Sequence, residues 1–200
     1  GRELAEKHNI DLNLSPYTLK IIFYALYCQK YCKSDNVFIC DFTDICFQKD
    51  VFELVTDKVT VHSENKQIAT CDVNTTWLKI CYGDEVYNKI KSNNILNSGT
   101  YFGRRSDIID LLNRMCDSIV RVLNRVGNYL IIDQAAMNVV VYDDPDSFNI
   151  REDNMVYNLA HSAKDSFSVE DKRVSVNGIQ PYVLHQYDVM PKLKEFLYNR

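Results

Sequence analysis

Val37-Phe38-Ile39-Cys40 is a short unbroken apolar run that ends on Asp41. Ser34-Asp35-Asn36 precedes it, and Asp41-Phe42-Thr43-Asp44 follows before a second apolar run, Ile45-Cys46-Phe47. A run of this length between two polar breaks has the form of a buried strand. Continuous apolar strands are typical of parallel sheets covered on both faces. The segment therefore predicts a buried parallel strand with two carboxylates at its C-terminal end, where open α/β sheets bind their ligands.

The flanking sequence supplies helices. Ser15-Pro16 is an N-cap followed by a proline suited to the first helical position. The run from Tyr17 to Tyr31 is apolar around most of its circumference, which predicts a helix buried on several sides. Val51 to Leu54 predicts a short helix or turn, Lys58 to His62 a strand, and Gln67 to Val73 another. Trp77 to Ile90 reads as helical pieces interrupted at Gly83, and Thr100-Tyr101-Phe102 as a strand ending at Gly103. Ser106 is placed to cap an amphipathic helix through Val126, with Ile108, Leu111, Leu112, Met115, Ile119, Val122 and Leu123 at helical spacing, and Gly127-Asn128 to stop it. Asp133 to Tyr142 predicts a helix running into a short strand. Residues 147–180 read as loops and short strands, and Pro191 to Tyr198 as a closing helix. Strands alternating with helices indicate one α/β domain over residues 1–200, with helices on both faces of its sheet.

Composition narrows the function classes. A formal net charge of −4 and a pI near 5.6 argue against a nucleic-acid partner. No stretch approaches the roughly 20 apolar residues of a membrane span. Seven cysteines, an odd number without a CxxC pair, sit mostly in apolar runs and read as reduced thiols, which favours the cytoplasm. The sequons at Asn13 and Asn74 keep the secretory pathway open. Gly1 is neither an initiator Met nor the start of a signal peptide, so a fragment of a longer protein is also expected.

Two segments can carry chemistry. Asp41 and Asp44 at a strand end suit Mg²⁺ or Mn²⁺, with diphosphate oxygens completing the coordination. An ordinary turn, with Asp41 in an Asx bond and Asp44 as a cap, explains them equally well. His185, after the apolar Val183-Leu184, is a third ligand through a neutral ring nitrogen or else a structural histidine. His8, His62 and His161 lack such a setting and are expected at the surface. Asn97-Ser98-Gly99 offers a small-residue turn where backbone can approach a ligand, and Asp133-Gln134 a carboxylate beside an amide. A plain turn and a helix N-terminus are the alternatives for these two.

In order and spacing these segments resemble GT-A glycosyltransferases of the DxxD type, including the glycosyltransferase domains of procollagen lysyl hydroxylases and similar microbial and viral proteins. The resemblance covers roughly residues 15–198. It is carried by Asp41-Phe42-Thr43-Asp44, Phe47-Gln48-Lys49-Asp50-Val51-Phe52, Asn97-Ser98-Gly99 with Gly103, Asp133-Gln134, and His185-Gln186-Tyr187-Asp188. It implies a GT-A, Rossmann-like mixed sheet flanked by helices, with the first βα unit missing or short. It also implies Mn²⁺ or Mg²⁺ on Asp41, Asp44 and His185, and Phe42 and Thr43 beside the base and ribose of a UDP-sugar donor. Asn97, Ser98, Gly99, Asp133 and Gln134 would line the pocket for the donor sugar and a glycan or protein acceptor, with Asp133 and Gln134 the catalytic candidates. Thr43 stands where an aromatic residue often stacks on the base.

Two other readings compete. A phosphatase of the haloacid-dehalogenase type also starts from a strand ending in paired aspartates, but spaces them DxD, whereas Phe42-Thr43 separates the pair here. A nucleotide-sugar-binding module without turnover would keep the site and lack the reaction.

Overall fold

A computed structural model of the chain describes residues 6–7, 11, 13–41, 43–126, 131–159, 166–170 and 173–198. Phe42, His8, His161 and the Gly127-Asn128 stop lie outside the described residues.

Helix α1 spans Pro16–Lys30, with the Ser15 hydroxyl accepting from the Thr18 N–H. It buries Thr18, Ile21, Ala25 and Cys28, while Tyr17 and Tyr27 are exposed. Burial is deepest along this one stripe, with Leu19, Ile22, Phe23, Tyr24 and Leu26 half-buried on the other sides, so the expected burial on several sides holds in part.

Strand β1, Asn36–Cys40, pairs antiparallel with β4, Asn94–Arg104, and forms one end of a four-stranded sheet ordered β1-β4-β3-β5. The expected parallel, fully buried strand is thus wrong in both respects, since the burial of β1 alternates. A four-residue apolar run does not encode the direction of its partner. Strand β3, Val59–Gln67, is antiparallel to β4 and parallel to β5, Phe148–Arg151, so the sheet is mixed. Ser63 to Gln67 extend β3 beyond the expected His62, and the separate strand expected over Gln67 to Val73 does not form: Ile68–Thr70 is a 3-10 turn and Asp72–Ile90 is helix α2. Gly83 breaks α2 with φ of 83°, at the predicted interruption.

Helix α3, Arg105–Val126, begins one residue before the expected Ser106 cap, with the Arg105 N–H bonded to the Asp35 carbonyl. Helix α4, Asp133–Asp143, stays helical to its end, and the short strand expected there does not form. Its Val140 and Val141 instead face the core with Ala136 and Met137. Packing overrides the β preference of two valines.

A second sheet, ordered β2-β9-β6, is built from Ile45–Phe47, Val183–His185 and Val156–Asn158. Strands β7, Phe167–Glu170, and β8, Arg173–Val176, form a hairpin, and α5 spans Pro191–Tyr198. Val37, Ile39, Val61 and Tyr101 on one face of the large sheet pack with residues of α1, α3 and α4. Phe38 and Phe102 on the opposite face pack with Val156 and Val183 of the second sheet. The expected helices on both faces are corrected accordingly: helices cover one face, and the small sheet covers the other.

Candidate metal centre

The link from Asp41 to Asp44 leaves the large sheet at Cys40 and enters the small sheet at Ile45. His185 ends β9 directly opposite Ile45. The crossing between the two sheets therefore brings the DxxD segment to the histidine. One ligand atom from each of Asp41, Asp44 and His185 lies within 4.8 Å of the others. His185 Nε2 is 3.8 Å from Asp41 Oδ2 and 3.6 Å from Asp44 Oδ1.

Those separations are too long for hydrogen bonds. Two bonds of about 2.1 Å to a shared cation span up to about 4.2 Å, so the separations fit donors around one ion. Asp44 Oδ1 and His185 Nε2 are both buried without a hydrogen-bond partner. A buried polar atom left unpaired costs about 1–3 kcal/mol, and a cation would satisfy both at once. His185 is 1% exposed, whereas the side chains of Asp41 and Asp44 are 36% and 20% exposed. The cluster is closed behind the imidazole and accessible at the carboxylates.

Neighbouring groups fix the ring. Asn158 lies in register beside His185 on the parallel strand β6, and its Oδ1 is 2.7 Å from His185 Nδ1. Since a carboxamide oxygen only accepts, Nδ1 carries a proton and Nε2 is the ring nitrogen left facing the two carboxylates, with an N–H when the ring is charged and a lone pair for a cation when it is neutral. Gln186, with φ of 60°, turns the chain immediately afterwards and donates its N–H to the Asp44 carbonyl at 2.8 Å. Tyr187 donates its hydroxyl to the carbonyl of Thr43, which is exposed.

A bulge in β4 completes the wall. Between Val61 and Ser63, two steps along β3, the paired residues of β4 run from Tyr101 to Leu96, five steps. The extra residues are those around Asn97-Ser98-Gly99, and bulges of this kind re-aim side chains beside functional sites. The Gly99 carbonyl accepts from the Asp41 N–H at 3.0 Å. A Cβ at Gly99 would come within 2.9 Å of His185 Nε2 and closer still to Asp41 Oδ2. Glycine is required there by close approach.

The bulge is held from behind by α4. Asn138 donates to the Leu96 carbonyl and accepts from its N–H, both at 2.9 Å. Ser98 donates its hydroxyl to Asp133 Oδ2 at 3.1 Å, and its N–H reaches Gln134 Oε1 at 3.4 Å. Gln134 donates to Asn74, and Asn97 donates to Glu64 at 2.7 Å and accepts from the Gly99 N–H. Asn74 is buried, so its sequon is closed to glycosylation in the folded chain. All five predicted pocket residues thus belong to one buried network.

Lys20 joins that network to the cluster. Its ammonium is 2.9 Å from Asp41 Oδ1 and 2.8 Å from Asp133 Oδ2. Burial alone would raise the Asp41 carboxyl, but the facing His185 ring in its charged, metal-free form and the Lys20 ammonium hold it down at about 2. Burial pushes Asp44 up; His185 opposes this, and the negative charges of Asp41 and Asp188 add to it. Burial would lower Lys20, but Asp133 and Asp41 together raise it above its ordinary value. The sequence reading missed Lys20, although it is the only charge between Pro16 and Cys28. It also missed Asn158, for which the sequence holds no local signal.

Other expectations are corrected. His62 is not a surface residue: it is 1% exposed and lies tilted against the Phe102 ring, with centroids 5.6 Å apart. Gln48, in the Phe47–Phe52 segment that carries part of the resemblance, has a structural place. It is buried and pins the hairpin to the small sheet, donating to the carbonyls of Val174 and Pro181 and accepting from the Val174 N–H. The seven cysteines are free, with Cys28, Cys71 and Cys81 buried. Among the described residues no helix is long and apolar enough to cross a membrane. Comparison with protein-family models and with curated proteins gave no match.

Proposed function

We propose that the chain is a metal-dependent glycosyltransferase that takes a sugar from a nucleotide-diphosphate donor, a UDP-sugar, to a glycan or protein acceptor. One observation carries the reading. Asp44 Oδ1 and His185 Nε2, from distant parts of the sequence, converge beside Asp41 as buried atoms without a hydrogen-bond partner. In the adjoining network Asp133 Oδ1 is likewise buried and unpartnered, the one such atom there among the described residues, and is left to accept from a donor hydroxyl.

Asp41, Asp44 and His185 would hold Mn²⁺ or Mg²⁺. When bound, the ion supplies positive charge to the leaving diphosphate. Asn158 keeps the Nε2 lone pair of His185 on the ion side. Gly99 keeps the space beside Asp41 clear of side chain. Asp133, through its unpartnered Oδ1, would accept a donor hydroxyl and face the positive charge that develops on the sugar, while Ser98 and Lys20 hold its Oδ2. Thr43, exposed beside the carboxylates, is left for the nucleoside.

The test is release of free UDP from a panel of UDP-sugars, with Mn²⁺ and with chelator. The reading predicts Mn²⁺-dependent release for at least one donor. Metal-dependent UDP binding without release from any donor would instead make the chain a binding module. Inorganic phosphate from a phosphate monoester, without UDP release, would make it a phosphatase.

A further inference from the structure

Asp41 divides its two oxygens between different partners. Oδ2 faces His185 in the cation cluster, and Oδ1 accepts from Lys20 on the other side. Lys20 reaches the opposite way to Asp133 Oδ2, which also accepts from Ser98. The Asp133 side chain is 3% exposed and that of Lys20 17%. A carboxylate buried so deeply requires a compensating charge. Lys20 is the one cation in ion-pair contact with Asp133 among the described residues.

The same ammonium lies against a carboxylate that would bind the metal. Its positive charge opposes a second cation on Asp41 and withdraws one of the two oxygens from it. We propose that Lys20 is the positioning residue of this site, holding Asp133 in place beside the donor sugar while weakening the hold of Asp41 on the metal. The inference rests on the reading of Asp41, Asp44 and His185 as a cation site. Its consequence is that metal affinity and sugar transfer respond to Lys20 in opposite directions.

The experiment measures Mn²⁺ affinity of the nucleotide-free protein by calorimetry, with donor turnover alongside, in wild type, Lys20→Gln and Lys20→Arg. Lys20→Gln keeps hydrogen-bonding capacity and removes the charge. It should bind Mn²⁺ about tenfold more tightly, as loss of one nearby like charge allows, and turn over donor at least roughly tenfold more slowly. Lys20→Arg should stay near wild type in both. If Lys20→Gln does not fold, the comparison moves to Asp133→Asn, whose uncharged amide removes the need for compensation. There, adding Lys20→Gln should still tighten Mn²⁺ binding. Unchanged or weaker Mn²⁺ binding in the folded charge-neutral variant overturns the inference, even with the cation site intact. Tighter binding with wild-type turnover overturns its positioning part. No Mn²⁺ binding by wild type overturns the cation site and the inference together.

Discussion

Asn158 Oδ1 accepts the Nδ1–H of His185 at 2.7 Å, across two parallel strands that set the residues side by side in register. The bond leaves Nε2 aimed at Asp41 and Asp44, the lone-pair atom of the ring in the neutral form that would bind a cation. Without it, the ring can turn or change tautomer. Asn158→Ala should therefore weaken Mn²⁺ binding about 10–100-fold, the usual cost of losing such a partner. Calorimetry on the folded variant checks this, and affinity within twofold of wild type would remove Asn158 from the site.

Gly99→Ala is a steric test of the same cluster. The added methyl would fall on the side chains of Asp41 and His185, while the bond from the Asp41 N–H holds residue 99 in place. Forcing a methyl into packed structure costs about 1–3 kcal/mol. Thermal unfolding should show that loss, and a Mn²⁺ titration should show binding weakened by tenfold or more. Gly103→Ala is the control, because a Cβ there would meet Val59 instead. A stability loss with intact Mn²⁺ binding in Gly99→Ala would show that the cluster relaxes around the methyl.

His62 gives the pH dependence of folding. Burial depresses its pKa from 6.5 to about 4; Asp153 and the Thr100 backbone offset part of the shift, and Arg151 and His185 add to it. The unfolded chain therefore binds a proton between pH 6.5 and about 4 that the folded chain refuses. The stabilisation is fully present above pH 6.5 and is lost as pH falls through that window, with no further loss below pH 4. Its full size is about 3 kcal/mol. Urea unfolding at pH 7.0 and pH 4.5 should show wild type losing about 2 kcal/mol more than His62→Leu. Equal losses would mean that His62 takes up its proton in the folded state.

The outline of this site was legible where chemistry and local pattern coincided. Asp41 and Asp44 followed an apolar run, His185 followed another, and the Ser15 cap and the Gly83 break were written in single residues. What stayed hidden depends on partners far away in sequence. Nothing in Val37-Phe38-Ile39-Cys40 specifies an antiparallel neighbour, and that pairing is what lets β4 bring Gly99 to Asp41. The bulge at Asn97-Ser98-Gly99 arises from a three-residue difference in register between β3 and β4, and no window of sequence contains both strands. His62 reads like any polar residue in an alternating strand; it is buried because the small sheet covers that face. Lys20 carried a signal, a lone charge in an apolar helix, but its meaning came from Asp133 on another helix.

Asp44 offers the most direct test of the central claim, because its Oδ1 has no other partner to lose. The measurement is UDP binding by calorimetry, with Mn²⁺ and with chelator, to wild type and to Asp44→Asn. The account predicts that wild type binds UDP at least about tenfold more tightly with Mn²⁺, and that Asp44→Asn loses this gain while its melting temperature without metal is unchanged or higher. UDP affinity that is indifferent to Mn²⁺ in wild type, or a metal-dependent gain that survives in Asp44→Asn, would contradict it.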